Sequence, residues 1–499
     1  MRTKRALKNL FFNLLQQFSL ILSNFIMQPI LVSRFGSSIN GLVSTIKQLM
    51  SYVQLTGAGI SSASTFAMYK PVADNDYKKL SGIYTATAKM FFKAGNVFTI
   101  ITLIVAIIYP FTIKSNLNYF MIFGLIIVMS VCGASEFYAS GKLRSILIAN
   151  QDNYIVDISQ IIGNVSTILI LILLVSLKQN IVIVELGISI TYILRILFMY
   201  VYVSKKYTYL DLSIKPLFSE INQRGDAVVH QISGLVVMGS STLIISILLG
   251  LEEASIYSVY SVVFNGINVL CSSFSNAIYS AFGELISKNE QKTLQSSYDT
   301  YEYIYFIMIS IVYSCTYILI MPFIKLYTAN MNDVNYYLPI LALLFIIVGV
   351  GNNLRIPANT IVTGAGHFRE TKIYAIIEMI INLLAQIILG YFWGLYGVIF
   401  GSIISYIFRT IQFIYYANKK IIKRRSIISA LRIIINVCTS VVICKIIEIL
   451  RIIEINNYFE WVYNGFIIFF ITAVLILFIN FIFDRKAFSK CLSIIKSLI

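Results

Sequence analysis

The stretch Gly187-Ile-Ser-Ile-Thr-Tyr-Ile-Leu-Arg195 recurs 214 residues later as Gly401-Ser-Ile-Ile-Ser-Tyr-Ile-Phe-Arg409. Gly, Ile, Tyr, Ile and Arg stand at matching places in the two copies. The same offset carries Gln17-Phe18-Ser19 onto Gln231-Ile232-Ser233, and Gly36 onto Gly250. One offset recurring at three distant places marks an internal duplication, the signal that settles architecture before any local reading does.

Each copy reads as six helices. A membrane-spanning helix needs about 20 mostly apolar residues. The chain offers fourteen such runs, near 10–33, 42–68, 82–109, 118–138, 153–177, 182–203, 225–249, 254–283, 300–322, 335–359, 370–392, 394–417, 427–450 and 460–483. Six crossings return a chain to its starting side, so the two copies run parallel rather than inverted. The predicted fold is an all-α integral membrane protein with about 14 transmembrane helices. It divides into an N-lobe (1–205, helices 1–6), a cytoplasmic linker (206–224), a C-lobe (225–420, helices 7–12) and a C-terminal helix pair with a cytoplasmic tail (421–499).

Composition leads to the same class. Of 499 residues, 58% are apolar and 12% charged, half the roughly 25% charged of a soluble domain. With a mean hydropathy of +0.81, there is too little polar surface to coat this mass in water. Secreted, cytosolic and nucleic-acid-binding proteins are excluded. The net charge of +17 follows from topology. With the N-terminus inside, inner joints hold 26 of the 39 Lys and Arg, including Lys78, Lys79, Lys205, Lys206, Lys419 and Lys420; outer joints hold five, Arg34, Lys114, Lys178, Lys325 and Arg451. That bias places both termini in the cytoplasm. The basic start precedes an apolar run containing Asn13, Gln16 and Gln17, without a small-residue cleavage site, and reads as a retained helix.

The apolar runs carry polar faces. On helix 2, positions 47, 51, 54, 58, 61 and 65 step by four and three and read Lys, Ser, Gln, Ala, Ser, Thr. Their 214-residue counterparts on helix 8 are Ser261, Asn265, Asn268, Ser272, Ser275 and Tyr279. Helix 1 has Asn13, Gln17, Asn24 and Gln28, and helix 7 has Gln231 and Thr242. Such residues also bridge packed membrane helices, for about 0.6–2 kcal/mol each. Stripes that pair by the repeat point instead to a hydrated cavity. The expected substrate cavity therefore comprises Asn13, Gln17, Asn24, Gln28, Arg34, Lys47, Ser51, Gln54, Gln231, Ser261, Asn265, Asn268 and Tyr279. Lys47 is the expected anion-binding group, with Arg34 at the outer rim; the competing reading is a lysine near the outer end of helix 2 that snorkels to the interface. Arg195 and Arg409 read as snorkelling or structurally paired, and Arg355 as lining or ending a broken helix. Asp157 and Glu378 are candidate ion-coupling carboxylates, with an interhelical hydrogen bond or ion pair as the competing reading. His230 and His367 stand alone, the six cysteines are scattered, and no phosphate-binding loop or metal-protease motif occurs. No enzyme activity, metal or cofactor is expected.

The run Arg34-Phe-Gly36, Asn40-Gly41, then a polar helix 2 ending Thr56-Gly-Ala-Gly59-Ile60, resembles the multidrug/oligosaccharidyl-lipid/polysaccharide (MOP) flippase superfamily. So does Ala149-Asn-Gln-Asp-Asn-Tyr154. Within it the chain is most similar to the polysaccharide branch, the Wzx-like O-antigen and capsule-repeat flippases. The resemblance implies translocation of undecaprenyl-diphosphate-linked oligosaccharides by alternating access through a cationic cavity. Its partners would be the lipid-linked oligosaccharide, membrane lipid and a proton or sodium counter-ion, with no nucleic acid. Unlike such relatives, the chain places no arginine within helix 1 before Arg34, only Lys47 on helix 2, and neutral polar groups on helix 8. Three alternatives stay open: a cation-coupled drug exporter of the same fold, a lipid-linked peptidoglycan precursor flippase, and a membrane polysaccharide polymerase or ligase.

Overall fold

The structure is a computed structural model describing residues 2–113, 115–221, 225–288, 290–450, 455–485 and 487–491. Lys114 and Arg451, counted above among the outer joints, lie outside the described residues, as do Arg224, Lys486 and Lys496 on the inner side. All fourteen expected spans are helical, and no strand occurs among the described residues. The helices are α1 (Arg2–Phe35), α2 (Ser37–Val53 and Ile60–Asp74), α3 (Tyr77–Thr112), α4 (Tyr119–Ser135 and Gly141–Ala149), α5 (Asn153–Ser176), α6 (Ile181–Lys206), α7 (Gly225–Leu248), α8 (Leu251–Ser287), α9 (Gln291–Tyr327), α10 (Pro339–Leu354 and Ile356–Gly364), α11 and α12 (together Phe368–Tyr416), α13 (Ile427–Leu450) and α14 (Tyr458–Phe483). The α11–α12 joint is Gly394, at φ 59° and ψ −140°, a conformation open only to glycine at little cost. Twelve helical stretches among the described residues are long and apolar enough to cross a membrane. One of them, Phe368–Ile422, holds both α11 and α12, and the interrupted α2 is not among them. The chain is a multi-pass membrane protein.

Two compact units form, Met1–Val262 and Val263–Ile499. In the first, Leu42, Ile46, Phe98, Leu125 and Ile126 centre one apolar cluster, and Met68, Leu80, Ile83, Ile146 and Leu147 another. Asn9 ties α1 to the Ala149–Tyr154 segment: its Nδ2 donates to the Gln151 carbonyl and its Oδ1 accepts from the Tyr154 N–H, each at 3.0 Å. The segment after α6 docks on α3, where the Leu217 N–H donates to the Gly82 carbonyl (3.1 Å) and Lys79 pairs with Glu220 (2.8 Å). Tyr207 donates to the buried Asp152 carboxylate. Burial, reinforced by that carboxylate, pushes the Tyr207 phenol above its usual range.

The duplication is visible in backbone and in contacts. Gly36 and Gly250, one offset apart, both take positive φ, 84° and 110°. Arg195 of α6 donates to Asn164 Oδ1 of α5 at 2.9 Å. One offset on, Arg409 of α12 pairs with Glu378 of α11 at 3.3 Å. Arg355, at the break of α10, reaches the same Glu378 carboxylate. Gly401 lets α12 approach the α11 backbone, since a Cβ there would stand 2.5 Å from the Gln386 N.

In the second unit, α13 and α14 are fastened to α9 by apolar packing among Ile307, Ile443 and Ile476 and by an ion cluster. Glu302, fully buried, accepts from Arg424 (2.6 Å), Arg432 (3.2 Å) and Ser429 (2.6 Å). Asp299 and Asp484 complete the pairing of the two guanidiniums. Removing one member of a buried ion group typically costs about 3–5 kcal/mol because its partner charges stay behind. Glu302→Ala is therefore expected to lower the thermal unfolding midpoint of the detergent-purified protein by several degrees, whereas Glu284→Ala, at an exposed pair with Lys288, leaves it within about a degree.

Candidate functional site

The first unit contains a polar cavity of about 460 Å³. Ser51, Gln54 and Ser61 of α2, Cys132, Glu136, Ser140 and Arg144 of α4 and its internal turn, Gln160 of α5, Tyr192 and Arg195 of α6, and Gln231 of α7 line it. Phe91, Phe137, Val156 and Leu235 supply apolar walls.

Two local breaks build this wall. Helix α2 is not continuous. A 3-10 turn at Gln54–Gly57 is followed by Ala58 in extended backbone (ψ 131°) and Gly59 at φ 79°. The expectation of one unbroken polar face from Lys47 to Thr65 is thereby corrected. Ser51, Gln54, Ala58 and Ser61 line the cavity, while Lys47 is exposed away from it and Thr65 is buried. Helix α4 is interrupted by a π-helical turn at Glu136–Ser140. Eight α-helical residues would leave Glu136 and Arg144 about 80° apart around the axis; the extra residue of a π turn brings them to within about 20°. Arg144 donates to Glu136 Oε1 at 3.1 Å, and Ser140 to Oε2 at 2.5 Å.

Arg195 is held without a counter-charge. Its Nη2 donates to neutral Asn164, its guanidinium lies 4.5 Å from the Tyr192 ring centre, and its Nε has no hydrogen-bond partner. It forms no ion pair among the described residues. The guanidinium occupies the space left by Gly163, where a Cβ would stand 1.7 Å from Nε. The cavity thus holds two guanidiniums against one carboxylate, with amides and hydroxyls around them. That suits a ligand with an anionic group and hydroxyl-rich surroundings.

The other expected site residues are dispersed. Asn13 and Gln17 are linked (2.7 Å), and Asn13 also bonds Asp157, which is buried and in no ion pair among the described residues. Asn24 and Asn265 are exposed. Gln28 is buried and donates to Ser258 (2.6 Å), which also receives a bond from Asn40 (3.0 Å). Arg34 is exposed beside the Lys178 carbonyl. Ser261 donates to the Ser258 carbonyl of its own helix. In the second unit, Asn268 accepts from Asn353 (2.7 Å), and Tyr279 donates to the Thr363 carbonyl (3.3 Å). Glu378 is clamped between Arg355 and Arg409, the paired arrangement that competed with ion coupling. Glu136 and Arg144 escaped the sequence reading because a spacing of eight is out of phase for an unbroken helix. Asp157, Gln160, Asn164 and Arg195 carried a usable signal as polar groups in apolar runs.

No protein-family model matches the chain, and no curated protein matches it in sequence. Solved structures do match in fold. An inward-facing multidrug resistance MATE family transporter of the MOP superfamily aligns with TM-score 0.65 and 16% identity, over 80% of this chain and 95% of that one. The lipid II flippase MurJ, in an inward closed conformation, aligns with TM-score 0.65 and 16% identity, over 95% of this chain and 99% of that one. A MOP superfamily transporter from Pyrococcus furiosus gives 0.59 and 15%, over 85% and 97%. At these identities the likeness is one of fold: the chain has the architecture found in MOP-superfamily transporters.

Proposed function

We propose that this chain is a flippase that moves undecaprenyl-diphosphate-linked oligosaccharide repeat units across the bacterial cytoplasmic membrane by alternating access, in the synthesis of O-antigen, capsule or exopolysaccharide. The observation that carries the reading is Arg195, a guanidinium in a membrane-embedded polar cavity with no carboxylate to neutralise it. Intramembrane charge is expensive and marks a substrate or ion path. A diphosphate needs fixed positive charge to leave water, and sugar hydroxyls need the donors and acceptors that Ser51, Gln54, Gln160 and Gln231 offer. Arg144 supplies a second cation in the same cavity. Asp157, buried beside Asn13, is the carboxylate proposed to exchange a proton or sodium ion; Glu378, already doubly paired, is proposed as structural. Lys47, exposed and in no ion pair among the described residues, is proposed to receive the headgroup on the outer side once it has left Arg195.

One observation favours a second reading. The lipid II flippase neighbour covers 95% of this chain, which leaves out too few residues to omit both α13 and α14. The drug-transporter neighbour covers 80%. A lipid-linked peptidoglycan precursor is therefore the rival substrate, and its headgroup would meet the same cations.

Arg195→Gln is expected to reduce delivery of lipid-linked repeats to the outer leaflet by about tenfold or more, the scale of one lost charge-assisted contact, at unchanged protein abundance. Gly163→Ala, which evicts the guanidinium without altering charge, is expected to reproduce most of that loss. Lys47→Ala is expected to lower delivery while Lys47→Arg largely keeps it. The readout is surface display of the polysaccharide with accumulation of lipid-linked repeats inside; full delivery by Arg195→Gln would overturn the assignment. Complementation of a strain lacking its peptidoglycan precursor flippase decides between the two substrates.

A further inference from the structure

We propose that Glu136 is a built-in counter-anion: it holds Arg144 while the cavity is empty, gives it up to the anionic group of the substrate, and by taking it back drives release. The inference rests on the cavity being an anion site, as proposed above, and assigns a regulating residue within it.

Three observations carry it. First, the pairing depends on an irregularity. Glu136 opens the π-helical turn and Arg144 lies eight residues on, so the two meet only because that turn shifts the phase. Such turns are rare and lie frequently at functional sites. Second, the pair is wet and labile. The side chains of Arg144 and Glu136 keep 39% and 35% of their exposure. The ion cluster that fastens α9 to α13 is of another kind, with Glu302 at 0% and Arg424 at 4%. Exposed pairs contribute little to a fold, so this one is free to exchange partners. Third, the second guanidinium of the cavity, Arg195, has no carboxylate. An arriving diphosphate therefore meets one cation that is vacant and one that is occupied.

The consequence follows from charge. A phosphate group accepts from a guanidinium in the same bidentate way as a carboxylate, and carries more charge. It can replace Glu136 on Arg144, but the freed carboxylate remains in the cavity held by Ser140 (2.5 Å) and repels it. Arg195 gives initial affinity, and the contest at Arg144 limits how tightly the headgroup is kept. A transporter that binds too tightly does not release.

The test uses the full-length protein in lipid nanodiscs. Binding of inorganic pyrophosphate and of undecaprenyl diphosphate is measured by titration calorimetry for wild type, Glu136→Gln, Arg144→Gln and the double variant. The two probes separate a soluble anion from a lipid headgroup as the source of the charge. Glu136→Gln is expected to bind about three- to tenfold more tightly, Arg144→Gln about tenfold more weakly, and the double variant like Arg144→Gln, because Glu136 acts only through Arg144. Delivery of lipid-linked repeats by Glu136→Gln is expected to fall despite the tighter binding, a split that a merely structural role does not produce. Glu136→Ala serves the same purpose should the glutamine variant fold poorly. Wild-type binding that Glu136→Gln and Glu136→Ala leave equal or weaker overturns this inference and leaves the anion site standing. Absence of binding of both probes by wild type overturns the anion site, and this inference with it.

Discussion

A guanidinium inside a membrane helix bundle must find acceptors, and the choice of acceptor sets what it does. The chain makes that choice twice. On α6, Arg195 leans on neutral Asn164 and keeps its charge. One repeat later, on α12, Arg409 leans on the Glu378 carboxylate, which it shares with Arg355. The pairing of the two helices is common to both halves; the acceptor facing the guanidinium differs, an amide in one and a carboxylate in the other. In the half with the amide the guanidinium lines a cavity, which is where an uncompensated cation is useful, whereas the second unit's cavities are lined by neither Arg409 nor Glu378. In the half with the carboxylate, the same positions pack: Arg409 is buried beneath the Phe413 ring, and Gln386, Asn382, Ser402 and Ser405 form a closed hydrogen-bonded set between α11 and α12.

This asymmetry explains why polar stripes in a duplicated sequence have two meanings. Asn268 and Ser275 satisfy interhelical partners, Asn353 for one and Tyr301 and Thr360 for the other. Ser51, Gln54 and Gln231 face an open cavity. Residue type alone does not separate these cases, because an amide that bridges two helices and one that awaits a ligand cost the same to place in an apolar run.

Much of the architecture was legible in the residues. The fourteen runs hold helices, and all but the interrupted α2 fall in stretches long and apolar enough to cross a membrane; the offset of 214 reappears in the positive φ of Gly36 and Gly250. What escaped depends on phase. The turn at Gln54–Gly57 with Gly59 in α2, and the π turn at Glu136–Ser140 in α4, each reset the helical register within a span. An unbroken wheel therefore placed Lys47 on the cavity face and hid the pairing of Glu136 with Arg144. Arg195 was visible as a charge in an apolar run, but its freedom from a carboxylate depends on Asn164 and on the missing Cβ of Gly163, a contact 32 residues away in the chain.

The account stands on Arg195 being charged, uncompensated and available to an anion. The most direct measurement gives the first half the acceptor type of the second by replacing Asn164 with aspartate and titrating the full-length protein in nanodiscs with pyrophosphate. The isosteric carboxylate should occupy Arg195 and abolish most of the binding while the fold is retained. Binding as tight as that of the unaltered protein would show that Arg195 is not what holds the anion.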